Sequence, residues 1–110
     1  TGVRDYIHVV DLALGHLAAL NVLAKGCGLL TVNLGAGHGY SVLELVSAFE
    51  SVTGKSIPYK IVDRRAGDIA SYFADASLAK QLLGWQTTKN LEDICRDAWQ
   101  WQSKNPEGYQ

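Results

Sequence analysis

Three short β-prone runs are all the strand this sequence offers, and that number limits what it can fold into. Residues 6–10, Tyr6-Ile7-His8-Val9-Val10, form a β-branched run that reads as a strand end. Residues 29–34 read as a buried strand, and residues 58–62 as another, with Pro58 at its first position. Between and after these runs lie four helical patterns. The first, residues 10–25, puts Leu12, His16, Leu20 and Leu23 on one face, flanked by Ala13 and Leu17. Asp11 complements its dipole, Gly26-Cys27-Gly28 ends it, and Gly15 marks a close approach by another backbone. The second, residues 42–53, opens on a Ser41/Glu44 capping box, turns Val42, Leu45, Val46 and Phe49 inward, and ends at Gly54. The third, residues 76–83, is capped by Asp75 and closed by Gly84. The fourth, residues 91–104, is capped by Asn90 and stopped by Asn105-Pro106, with Leu91, Ile94, Cys95, Ala98, Trp99 and Trp101 on its buried side. So few strands cannot complete a doubly wound sheet. The expected fold is α/β: a small lobe of few short strands and about four helices, docked against something larger.

Charge and composition narrow the function. The formal net charge is −1, and the only adjacent basic pair is Arg64-Arg65. That disfavours nucleic acid and acidic membranes as partners and leaves room for a local anion site. No apolar run is long enough to span a bilayer, and no signal peptide opens the chain. With no Met among 110 residues, the sequence reads as a piece whose N-terminal portion lies elsewhere. Cys27 and Cys95 fit no metal motif and read as free thiols in a reducing cytosol. His8, His16 and His38 lack ligand spacing, so no metal is expected. No Ser-His-Asp or Cys-His arrangement suggests nucleophilic catalysis. Trp85, Trp99 and Trp101 read as core or interface anchors.

The polar chemistry gathers in three places. Gly35-x-Gly37-x-Gly39 lies between a strand and a helix, as a phosphate loop would, but a dinucleotide fingerprint needs its third glycine one place later. A tight strand-to-helix turn is the better reading. Arg4-Asp5-Tyr6 precedes a strand. Arg4 could reach a phosphate with its guanidinium fork, or pair locally with Asp5. The third place is Asp63-Arg64-Arg65-Ala66-Gly67-Asp68 and on through Tyr72 to Asp75. Two arginines could clamp a pyrophosphate, or balance Asp63 and Asp68. Strand alternation would let at most one of them face a ligand. Asp68 could accept from a ribose diol or hold Arg65. Tyr72 could close a sugar pocket or half-bury between Ile69 and Phe73.

Taken in order, these blocks resemble a known family. Residues 4–13, Arg-Asp-Tyr-Ile-His-Val-Val-Asp-Leu-Ala, look like a signature of the extended short-chain dehydrogenase/reductases. Asn33-Leu34-Gly35-x-Gly37 with Ser41 to Leu45 is similar to their next block. Arg64-Arg65-x-Gly67-Asp68 with Tyr72 and Ala74-Asp75, and the ending Trp99-x-Trp101-Gln102-x-x-Asn105-Pro106-x-Gly108-Tyr109, resemble the UDP-glucose 4-epimerase family in particular.

The resemblance implies that residues 1–110 are a C-terminal substrate-binding domain. The Rossmann domain, with its NAD, would lie on the missing N-terminal side. The family's Tyr-x-x-x-Lys pair does not occur here: Val10, Glu44, Asp63 and Ala76 stand four residues after Tyr6, Tyr40, Tyr59 and Tyr72. No catalytic residue is therefore expected in this chain, and alone it is expected to be inactive. The substrates implied are UDP-glucose and UDP-galactose. By motif position Arg4 and Arg65 would bind the diphosphate, Tyr6 would line the nucleotide site, Asp68 would bind the ribose and Tyr72 would face the hexose. His8, Asp11 and Asn33 would be structural. A bulky Tyr72 would disfavour N-acetylated sugars. Ala66 and Ala70 depart from the family pattern, which affects the loop's shape. Two alternatives stay open: the same lobe of another nucleotide-sugar dehydratase, reductase or decarboxylase, and a stand-alone non-catalytic binding module. The epimerase reading also expects an apolar face able to drive self-association.

Overall fold

The computed structural model describes residues 1–26 and 28–109. Cys27, expected in a turn as a free thiol, lies outside the described residues. Six elements follow one another: β1 (Val3–Asp5), α1 (Val9–Ala24), β2 (Gly39–Ser41), α2 (Val42–Thr53), α3 (Ser77–Leu83) and α4 (Leu91–Lys104). The strand is sparser than the sequence suggests. β1 and β2 pair antiparallel, with Arg4 opposite Tyr40. On its other edge β1 takes in residues 70–72. The Val3 N–H donates to the Ala70 carbonyl at 2.9 Å, and the Tyr72 N–H to the Val3 carbonyl at 3.1 Å. A single parallel bridge joins Val3 and Ser71.

The expected strand over residues 6–10 is corrected. The strand lies just before it, and Val9 already begins α1. His8 is the reason. Its backbone is extended and its Nδ1 accepts the Val10 N–H at 3.0 Å, so the imidazole caps the helix. With Nδ1 accepting, the proton sits on Nε2, which donates to the Asp97 carboxylate at 2.7 Å and ties α1 to α4. Residues 29–34 and 58–62 form no strand either. Both are apolar enough to pair, but no neighbouring strand reaches them among the described residues, and Leu29 is 97% exposed.

The helices stand where the capping chemistry puts them. Ser41 and Glu44 form a complete capping box on α2, and Asn90 and Asp93 another on α4. The Ser41 backbone N–H, then the Ser41 hydroxyl, hold the Glu44 carboxyl below its usual range. Asp75 sits one place further out than expected. Ala76 is the cap residue of α3, and the Asp75 carboxylate accepts from the Ser77 N–H at 3.0 Å. Gly54 and Gly84 end α2 and α3 in left-handed backbone, at φ 68° and 64°.

α2 packs along α4, and α1 meets α3. The covered side of α1 is not the leucine face read from its sequence. Asp11 and Gly15 are buried, while Leu17, Leu20 and Leu23 are half-exposed or more. α1 is apolar almost all round, so periodicity could not pick its inner side. Gly15 does mark a close approach, but by side chains and not by backbone. A Cβ there would stand 2.9 Å from Leu34 Cδ1 and 3.2 Å from Trp85 Cε2. Trp85 is buried and donates its indole N–H to the Asp11 carbonyl at 2.9 Å. The Asp11 carboxylate accepts the Thr88 N–H, the Thr88 hydroxyl and the Lys89 N–H. This anchors the connector before α4. Ala98, Trp99 and Trp101, expected inside, lie on the exposed side of α4.

The core is thin. The buried hydrophobic residues are Ala79, Trp85, Leu91 and Cys95. The radius of gyration is 16.7 Å, against about 13 Å for a compact domain near this length. The accessible surface is 8058 Å², where a compact chain of this mass exposes about 6,000 Å². The excess lies on apolar side chains such as Val9, Leu20, Ile61 and Val62.

Candidate functional site

Strand alternation sends neighbouring side chains of β1 to opposite sides, and here that splits the Arg4-Asp5 pair. Asp5 turns toward the glycine-rich turn. Its carboxylate accepts the Ala36 N–H at 2.9 Å, the Gly37 N–H at 3.1 Å and, from the far end of the tyrosine segment, the Ala74 N–H at 3.1 Å. The turn closes so tightly on it that a Cβ at Gly35 would stand 2.6 Å from Asp5 Oδ2 and 2.7 Å from Ala74 Cβ. Consecutive N–H groups with Gly37 at φ 74° make an anion nest, and the anion in it belongs to the chain. Each such charge-assisted bond contributes about 1.5–3 kcal/mol.

The glycine turn is also where a dinucleotide phosphate would be sought in this chain. Its N–H groups at Ala36 and Gly37 are committed to a carboxylate that would repel phosphate, so the turn does not fit that group. The reading as a turn and not a cofactor site fits Gly35 and Gly37, but no strand precedes them at residues 29–34 and Gly39 already belongs to β2, so the expected strand-to-helix turn is corrected. The available signal was a glycine spacing one residue short of the fingerprint; that Asp5 fills the turn needed β1 to be known.

Arg4 takes the opposite side. Its guanidinium donates to the Val3 carbonyl at 2.8 Å and lies 5.0 Å from the centre of the Tyr72 ring, a cation–π contact. The local Arg4–Asp5 pair does not form. Among the described residues the ion pairs are Arg65–Asp68 and Arg96–Asp93, while His8 meets Asp97 through the Nε2–H hydrogen bond.

Arg4 lines a groove of about 680 Å³, together with Arg64, Arg65 and Asp68. Its apolar part comes from Val42 at the start of α2 and from Ile61 and Val62 of the unpaired run. Those apolar walls were missed in the sequence, where they read as core. Both arginines of the pair line the groove. The alternation argument that allowed only one has no strand to rest on at residues 58–65.

Arg65 is bound side-on by Asp68, with Nε to Oδ2 at 2.9 Å and Nη2 to Oδ1 at 3.4 Å. This leaves the Nη1 edge of the guanidinium pointing away from the acid. The hydrogen bond from Arg65 is the main reason the Asp68 carboxyl lies below its usual range, helped by the charges of Arg65 and Arg4. Asp68 therefore does hold Arg65, one of its two sequence readings. Gly67, at φ 85°, makes the turn between them. Of the five residues singled out, Arg4, Arg65 and Asp68 line the groove, and Tyr72, outside its lining, meets it through the cation–π contact with Arg4. Tyr6 is half-buried and is not among the lining residues.

A second depression, of about 520 Å³, lies between the glycine turn and the start of α3, with Lys80 as its cation. The turn's N–H groups face Asp5 and not this space. The histidines sit apart: His8 on Asp97, His16 on the Leu12 carbonyl and His38 edge-on to Tyr40. No cluster of potential metal ligands occurs among the described residues. No helix there is long and apolar enough to cross a membrane.

The chain as a whole has known counterparts. A UDP-glucose 4-epimerase of Bacillus subtilis is 58% identical over 109 residues, which is 99% of this chain and 32% of that protein. The chain matches the C-terminal third of UDP-glucose 4-epimerases. Solved structures agree. The Stenotrophomonas maltophila UDP-glucose 4-epimerase, with bound NAD and formylated UDP-arabinopyranose, superposes with a TM-score of 0.93 at 54% identity over 97% of this chain and 32% of its own. The Bifidobacterium longum enzyme, in complex with NAD+ and UDP, gives 0.92 at 52% identity over 99% of this chain and 32% of its own. The chain thus spans about a third of the length of the epimerases it matches. No family model matches the chain.

Proposed function

We propose that residues 1–110 form a substrate-binding domain of an enzyme that interconverts UDP-galactose and UDP-glucose. The observation that carries this reading is the groove between β1 and residues 59–70, where three arginines and Lys60 outnumber the two carboxylates of Asp63 and Asp68, with Tyr72 against Arg4. In it Arg4 and the outward edge of Arg65 take the diphosphate, as bidentate donors suit paired oxygens. Asp68 takes the ribose hydroxyls, Tyr72 faces the hexose and limits its size, and Tyr6 borders the nucleotide. Two epimerase relatives whose structures hold UDP or a UDP-sugar, with NAD, support the ligand class.

NAD belongs outside these residues. The turn that could have held its phosphates is filled by Asp5, and no residue here is assigned to catalysis. The thin core and exposed apolar side chains support docking against a Rossmann domain. A cytoplasmic setting belongs to the same proposal, with the buried free thiol of Cys95 in keeping with it. Burial, then the charge of Glu92, pushes that thiol's pKa up. The test is an assay with NAD and UDP-galactose. A polypeptide joining this chain to a dinucleotide-binding domain is expected to form UDP-glucose, and the 110 residues alone to form none. Turnover by the chain alone contradicts the assignment.

A further inference from the structure

The chemistry of the groove leaves Asp5 unused, yet three segments that lead into the groove wall meet on it. β1 carries Arg4 and Asp5 in succession. The glycine turn bound by Asp5 leads through β2 to Val42 on the groove wall. Ala74, the third donor, follows Tyr72 by two residues. The Tyr72 N–H is already bonded to Val3, so Ala74 is the second tether of a short segment. Gly35 admits no side chain because the carboxylate and Ala74 fill that space.

The geometry points to Asp5 as a positioning residue for sugar selection. Its carboxylate fixes residues 72–74 against β1 and so holds the Tyr72 ring over Arg4. This rests on the reading of the groove as a nucleotide-sugar site. Asp5 touches no ligand and acts through Tyr72. An amide at this position has one oxygen to accept with, and its NH2 group opposes the remaining N–H donors. The amide oxygen can keep the two donors of Oδ2 or the one of Oδ1, so at least one of Ala36, Gly37 and Ala74 faces an NH2 and the turn's hold on the Tyr72 segment loosens.

The test compares unmodified protein with Asp5→Asn, in the full-length polypeptide that carries this sequence. Calorimetry measures affinity for UDP-glucose and UDP-N-acetylglucosamine. The unmodified protein is expected to prefer UDP-glucose, and Asp5→Asn to reduce that preference about tenfold while UDP alone weakens less than threefold. A purely structural Asp5 would lower the melting temperature and leave the preference intact, and that result overturns the proposal alone. Failure of the unmodified protein to bind either sugar nucleotide, or to prefer one, overturns the reading of the groove and the proposal with it. Should Asp5→Asn fail to fold, hydrogen exchange on the unmodified protein decides. UDP-glucose is expected to slow exchange at Ala74, Gly37 and Ala36 at least threefold, and unchanged exchange overturns the coupling.

Discussion

Two loops of this molecule each hold an acid, and they hold it for opposite ends. In the glycine turn at residues 35–37 the acid is Asp5, and its partners are backbone N–H groups. In the loop at residues 64–68 the acid is Asp68, and its partner is the guanidinium of Arg65, a side chain 85% exposed. The glycine turn has the shape of a phosphate site but carries its own anion. The arginine loop pairs acid with base but leaves donors pointing outward. Whether a loop can take a ligand anion depends on which donors its own acids have already used, and not on its glycine count.

Breaking the glycine turn has the largest expected effect. Asp5→Ala leaves three N–H groups without their acceptor and should cost about 2–4 kcal/mol in urea unfolding. Asp68→Ala should leave the unfolding midpoint almost unchanged, because exposed pairs contribute little. Equal losses would erase the contrast.

The arginine loop should respond in binding. Arg65→Ala removes charge-assisted bonds of about 1.5–3 kcal/mol, so affinity for UDP should fall at least tenfold by calorimetry, with little change in unfolding. The element that joins the turn to the groove gives a smaller effect. Ser41→Ala breaks the capping box that starts α2 beside Val42 and should cost about 1 kcal/mol, read in the same unfolding curves.

Smallest is the response to acid. The folded Asp68 carboxyl is held below its ordinary value of 3.8. Its attraction to Arg65 is therefore complete above that value and fades as pH falls through the lower folded value. Carboxyl-carbon NMR should show Asp68 unchanged between neutral pH and about 5, with its midpoint below 3.8. A midpoint above that value would mean the Arg65 bond does not form in solution.

The helices were the legible part of this fold, because capping is local. Ser41 with Glu44, Asn90 with Asp93, and Gly54 and Gly84 set helix ends within a residue or two of those observed. Strands were not legible in the same way. Residues 29–34 and 58–62 carry the composition of strands, but pairing needs a neighbour that composition does not supply. α1 hid its inner face because leucines surround it, and the deciding residues were Asp11 and Gly15.

In the site, the residue types were readable and their geometry was not. Residues 63–75 stood out as more hydrogen-bonding chemistry than one loop requires, and the family resemblance selected Arg4, Arg65, Asp68 and Tyr72 among readings the residues left open. That Arg4 turns to Tyr72 while Asp5 turns to the glycine turn follows from strand alternation, but only once β1 is known to be the strand.

The central claim is that the groove beside β1 takes the nucleotide diphosphate and the glycine turn does not. Backbone amide NMR during a titration of the chain with UDP tests it most directly. Saturable shifts are expected at Arg4, Arg65, Asp68 and Tyr72, with the largest at Arg65. Amide shifts at Ala36 and Gly37 with none at Arg65, or no saturable shifts at all, would contradict it.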